Sequence, residues 1–202
     1  MLKYFGYSLS LALLLTTGQY SIAADIEAGK QKSQTCAACH GPDGNSNNSI
    51  WPKLAGQHVQ YTAKQLQDFK QGKRENAQMA PLVSSLSEED MRDIAAYYAD
   101  QKGKVGSADP EYLEEGEKIY RFGNAETGVP GCMACHGPNG KGNPAAMYPM
   151  LSGQHADYTA AQLQAFRSGE RSNDNRQAMR ILAEKMSDAE IKAVSEYIQG
   201  LR

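Results

Sequence analysis

No stretch of this 202-residue sequence is apolar for long enough to cross a bilayer as a helix, which takes roughly 20 residues. A short apolar run at residues 11–15 follows Lys3 and precedes Ser21-Ile22-Ala23-Ala24, whose small residues suit a signal peptidase. This predicts an export leader over residues 1–24, cut after Ala23 or Ala24. An excess of positive charge is also lacking, with 21 Lys and Arg against 23 Asp and Glu. Loss of Lys3 with the leader takes the formal charge from −2 to −3, so no nucleic-acid partner is indicated. Sustained alternation of apolar and polar residues is missing too, which excludes a sheet-based fold and leaves an all-α reading. Finally, there are only four cysteines, and none stands alone.

All four lie in two pentapeptides, Cys36-Ala37-Ala38-Cys39-His40 and Cys132-Met133-Ala134-Cys135-His136. Both match C-x-x-C-H, the pattern for covalent c-type haem attachment. Two thiols add to the vinyl groups of one porphyrin, and the histidine directly after them reaches the iron. A dithiol redox motif needs no such histidine, and a zinc ribbon separates its pairs by roughly 15 to 20 residues. Here 92 residues separate Cys39 from Cys132. An exported chain with four cysteines would ordinarily form disulfides. Thiols bonded to porphyrin cannot also pair, so no disulfide is expected.

The chain repeats itself. Gly56-Gln57-His58, Tyr61, Gln65, Leu66 and Phe69 are answered by Gly153-Gln154-His155, Tyr158, Gln162, Leu163 and Phe166 at an offset of 97. The offset is 96 at the cysteines and 100 near the end, so small loop insertions separate the copies, with a larger one within residues 122–131. Two domains of one fold follow, over residues 25–103 and 111–202, joined at 104–110 where glycine, serine and proline break the helical pattern. Each is small enough to bury only a meagre core of its own. Helices are predicted over 26–35, 58–71, 112–122 and 156–168, and a last helix in each copy starts at Ser87 and Ser187. Asp90 and Glu190, three residues on, complete capping boxes.

Function turns on the sixth iron ligand, because a second strong axial ligand suits electron transfer and an open position suits small-molecule chemistry. Met79 and Met179 are repeat equivalents at an offset of 100, following His40 and His136 by 39 and 43 residues. His58 and His155 form the competing repeated pair. Behind the proximal histidines, the carbonyls of Pro52 and Pro149 are expected to accept from Nδ1, since ligating histidines donate their other N–H. Arg74 and Arg171, with Tyr61 and Tyr158, are repeated candidates for haem propionates, a planar fork being well matched to a carboxylate.

These motifs, with the run at 52–57, the linker and the ending at 195–201, resemble the cytochrome c4 family of dihaem class I c-type cytochromes over essentially the whole mature chain. The resemblance implies two tandem cytochrome c folds related by a pseudo-twofold axis and facing haem propionates. It implies two covalent haem c groups, the first on Cys36, Cys39, His40 and Met79 and the second on Cys132, Cys135, His136 and Met179. Residues 172–176 are longer than the corresponding stretch of the first copy and make the Met179 region a departure. The implied function is periplasmic electron transfer from a donor such as a quinol-oxidising cytochrome bc complex to a terminal oxidase, with no catalysis. Peripheral association with the membrane stays open, as do a role as cytochrome subunit of a larger oxidoreductase such as a flavocytochrome and a dihaem peroxidase.

Overall fold

The computed structural model describes residues 23–202; all but the last two residues of the predicted leader fall outside them. In the first half, α1 (Ile26–Lys32) continues into a 3-10 turn and the one-turn helix α2 (Ala37–His40). There follow α3 (Val59–Lys70), α4 (Met79–Val83) and α5 (Glu88–Asp100). The second half repeats this order with α6 (Leu113–Phe122), α7 (Met133–His136), α8 (Ala156–Ser168), α9 (Ala178–Ala183) and α10 (Asp188–Gly200).

In each half the first and last helices cross closely, α1 on α5 and α6 on α10, and α3 or α8 packs on the same last helix. Glycine sets the crossing. A Cβ on Gly29 would lie 2.0 Å from the Asp93 carbonyl oxygen, and one on Gly116 would lie 2.3 Å from that of Ala193. Both last helices start with a complete capping box, Ser87 with Asp90 and Ser187 with Glu190, satisfying backbone donors that would otherwise be orphaned.

Two separate cores result, one around Leu66, Phe69, Met91, Ile94 and Tyr98, the other around Ile119, Tyr120, Leu163, Ile191 and Val194. They fill the same space with exchanged bulk. By position Ser33 and Tyr98 of the first half correspond to Tyr120 and Ile198 of the second, so the large ring comes from the last helix in one half and the first helix in the other. Likewise the Lys32–Asp93 ion pair is answered by Ile119 and Ala193.

One feature departs from the all-helical expectation. The insertion before the second pentapeptide folds into an antiparallel hairpin, β1 (Gly123–Asn124) with β2 (Val129–Pro130). Its pairing is too short to leave an alternating signature in sequence. It is anchored by Val129, which is buried in the second core, and by Asn124 Nδ2, which donates to Glu190 Oε1 at 2.8 Å.

The stretch between the halves is tied to both. Asn45 donates to the Lys102 carbonyl (3.0 Å) and accepts from the Lys104 N–H (2.7 Å), and Gly106 N–H donates to the Gln199 carbonyl (3.1 Å). Across the interface the contacts come in reciprocal pairs, Lys53 with Gln154 and Met150 with Gln57, as a pseudo-twofold axis requires.

Candidate haem sites

Each pentapeptide forms a single helical turn. His40 N–H donates to the Cys36 carbonyl (2.9 Å) and His136 N–H to that of Cys132 (3.0 Å). Positions i, i+3 and i+4 share a helix face, so the two sulfurs and the imidazole of each motif project together. Gly41 and Gly137, both at φ +78°, then turn the chain away in a conformation that side chains with a Cβ rarely adopt.

His40 and His136 are 6% and 7% exposed, and burial lowers the pKa of both rings. Each Nδ1 lies 2.9 Å from a proline carbonyl, Pro52 for His40 and Pro149 for His136. A carbonyl can only accept, so Nδ1 carries the proton and Nε2 keeps its lone pair. That is the protonation state an iron ligand needs. None of the four cysteines forms a disulfide, so every sulfur of both motifs is free to bond a porphyrin vinyl group.

Met79 packs on the same core cluster as Cys36, and Met179 on the same cluster as Cys132. Met79 N–H is held by Asn76 Oδ1 (2.9 Å) and Met179 N–H by Asp174 Oδ2 (3.0 Å). Ahead of Met179, the longer loop reaches its helix through Arg176 and Gln177, both left-handed at φ 53° and 60°. Asn173 from that loop crosses to the first domain, donating to Gln65 Oε1 (3.0 Å) and Asp68 Oδ2 (2.6 Å), so the extra residues serve the interface.

The other repeated residues also gather between the domains. Arg74 donates to Gln65 Oε1 (2.8 Å), Tyr158 hydroxyl (2.9 Å) and Gln162 Oε1 (2.8 Å). Arg171 donates to Gln162 Oε1 (2.8 Å), Tyr61 hydroxyl (3.0 Å), Gln65 Oε1 (3.1 Å) and Asn173 Oδ1 (3.0 Å). His58 and His155 face the partner domain, where Nε2 meets the carbonyl of Lys141 (2.8 Å) and of Ser46 (3.0 Å) respectively. Their repetition reflects the shared interface.

The cytochrome c family model matches residues 26–101 and 113–202. A cytochrome c4 of Thiocapsa roseopersicina is 54% identical over 179 residues, covering 88% of this chain and 93% of the relative. The crystal structure of reduced recombinant cytochrome c4 from Pseudomonas stutzeri superposes with a TM-score of 0.87 at 49% identity, over 89% of this chain and all of the other. The chain belongs to the cytochrome c4 family. It is therefore a dihaem electron carrier, not an enzyme, and carries two covalent haem c groups. A further relative, the thiosulfate dehydrogenase electron acceptor of Stutzerimonas stutzeri, is 39% identical over 175 residues, covering 84% of this chain and 80% of its own.

The chain's own residues fit the cytochrome c4 cofactor. Trp51, next to the carbonyl that accepts from His40, has a buried indole N–H with no partner among the described residues. Its repeat counterpart Tyr148 lies with its ring 6.0 Å from that of His136. Between the domains, no carboxylate among the described residues hydrogen-bonds to Arg74 or Arg171. Burial works against the Tyr158 phenolate, yet the two guanidinium charges outweigh it and lower that pKa. The region is short of negative charge, a lack that haem propionates would meet. Nothing in the sequence marks Trp51 or the repeated Gln57, Gln154, Gln65 and Gln162 as part of the site. The glutamines were legible as repeat pairs, but the partner each one meets was not.

Proposed function

We propose that the two domains, residues 25–103 and 111–202, each hold one haem c through Cys36, Cys39, His40 and Met79 and through Cys132, Cys135, His136 and Met179. Bound there, the group supplies a one-electron couple that a thioether ligand places at high potential. The protein's part is to hold each imidazole neutral against a proline carbonyl, to keep water from the iron with the two cores, and to balance propionate charge with Arg74, Arg171, Tyr61 and Tyr158. The observation that carries this reading is the shared geometry of both proximal histidines, each 2.9 Å from its proline carbonyl in a turn that also presents two unpaired cysteines.

As a pathway, the carrier works in the periplasm, taking electrons from a quinol-oxidising cytochrome bc complex and passing them to a terminal oxidase. Among the described residues no helix is long and apolar enough to cross a membrane, which suits a shuttle between membrane complexes. The test is reconstitution of holoprotein with isolated membranes. Quinol-dependent reduction and oxidase-dependent reoxidation, both abolished by bc and oxidase inhibitors, are expected; reoxidation insensitive to oxidase inhibitors would overturn the pathway. A second reading is service to a larger oxidoreductase, favoured by the relative named as an electron acceptor of thiosulfate dehydrogenase. Thiosulfate-dependent reduction in the presence of such a dehydrogenase, without quinol, would select it.

A further inference from the structure

The Pro52 carbonyl that accepts from His40 Nδ1 belongs to the same peptide unit as the Lys53 N–H. That N–H leaves its own domain and donates to Gln154 Oε1 at 2.9 Å, while Gln154 Nε2 donates back to the Lys53 carbonyl at 2.9 Å. The second site repeats the arrangement. His136 Nδ1 meets the Pro149 carbonyl, and the N–H of the same peptide unit, on Met150, donates to Gln57 Oε1 at 2.9 Å, with Gln57 Nε2 donating to the Met150 carbonyl at 2.9 Å. Both glutamine side chains are fixed in advance, since Oε1 also accepts from the next backbone N–H, His58 for Gln57 and His155 for Gln154, at 3.0 Å.

Each proximal imidazole is therefore joined, through one peptide group, to a glutamine of the other domain. Hydrogen bonds in a chain polarise one another. A peptide whose N–H donates carries more negative charge on its oxygen and accepts more strongly from Nδ1–H. An imidazole so bonded is a more basic ligand, and a more basic ligand favours oxidised iron. We propose that Gln154 is a positioning residue that holds down the reduction potential of the haem in the first domain, and Gln57 that of the haem in the second. The proposal rests on His40 and His136 being the iron ligands.

Holoprotein carrying Gln154→Leu or Gln57→Leu tests it, with two haems per chain confirmed by haemochrome absorbance and each potential read by redox titration against the NMR-assigned axial methionine methyls. Gln154→Leu should raise the first haem, shifting its oxidised-to-reduced ratio several-fold at fixed applied potential, where tenfold corresponds to about 59 mV for one electron. The second haem should move less, and the His40 Nδ1–H resonance should shift. Gln57→Leu should reverse the assignment. A larger shift in the glutamine's own domain, equal shifts in both, or none would overturn the proposal. A merely loosened interface wets both haems and lowers both potentials, the opposite sign, and also counts against it. Where the leucine variants fail to fold, Gln154→Glu keeps an acceptor for Lys53 N–H and makes it anionic; it should lower the first haem more than the second, and an equal lowering overturns the relay. Wild-type protein without two haem equivalents would sink the ligand reading instead, whereas unmoved potentials in fully loaded variants sink the relay alone.

Discussion

Arg74 Nη2 lies 2.9 Å from the hydroxyl of Tyr158, and the reciprocal contact, Arg171 Nη2 with Tyr61, spans 3.0 Å. Arg74 lies 4.6 Å from the ring centroid of Phe69 and Arg171 4.5 Å from that of Phe166, so each guanidinium group is held between an aromatic face and neutral acceptors, three for Arg74 and four for Arg171. Two like charges sit in one interface without a hydrogen-bonded carboxylate among the described residues, an arrangement that favours any nearby anion.

Replacing Arg74 with glutamine should therefore lower the potential of the first haem, because loss of a positive charge disfavours the added electron. A change of several-fold in that haem's oxidised-to-reduced ratio at fixed potential is expected by spectroelectrochemistry. An unchanged or raised potential would count against a propionate role for Arg74.

The proximal ligands should be indispensable. His136→Ala should prevent stable incorporation at the second site and unfold that domain, since a small domain stripped of a bound group loses both core and linkage stabilisation. The measure is haem content with far-ultraviolet circular dichroism; two loaded haems and native stability would refute the assignment. Met79→Ala and Met179→Ala should be milder, keeping covalent haem, losing the sulfur-to-iron charge-transfer band of the oxidised protein, and admitting cyanide or carbon monoxide.

Helix crossing gives a prediction independent of the cofactor. Gly29→Ala would put a Cβ 2.0 Å from the Asp93 carbonyl oxygen, a backbone atom that cannot rotate away. The helices must separate, at a cost of about 1–3 kcal/mol, the usual range for overpacking. Gly72→Ala is the control, because nothing lies within 4 Å of its Cβ position and only its φ of +68° resists. Chemical denaturation should show the larger loss at Gly29.

Much of this is legible in the sequence. The C-x-x-C-H spacing places three side chains on one turn, and the repeat offsets pair Met79 with Met179 and Pro52 with Pro149. What stayed hidden was how repeated polar residues divide between site and interface. His58 and His155 carry the same repetition as true ligand candidates, and only the contacts with Lys141 and Ser46 assign them to docking. The hairpin at 123–130 was illegible for a different reason: two-residue strands have no periodicity, and Val129 is buried by the tertiary core.

The last helix of the first domain supplies a pH test. Lys32 Nζ lies 2.7 Å from Asp90 Oδ1, and that hydrogen bond, with those from Ser87, holds the Asp90 carboxyl down at about 2, below its ordinary value of 3.8. A carboxyl whose folded pKa is depressed stabilises the fold above its unfolded pKa and ceases to do so as pH falls through the folded one. Asp90→Asn removes the charge and keeps the shape, so the variant should melt a few degrees below wild type above about pH 4, where solvent screening keeps the gap modest. The gap should close between about pH 4 and pH 2, where wild-type Asp90 is itself protonated. In the second domain Glu190 takes the same capping position without a lysine hydrogen bond, accepting from Asn124 instead. Glu190→Gln should therefore show a gap less sensitive to added salt than that of Asp90→Asn, which shrinks as salt screens the lysine. Thermal melts of both variants at low and high ionic strength decide the matter, and a salt-independent Asp90 gap would refute the ion-pair account.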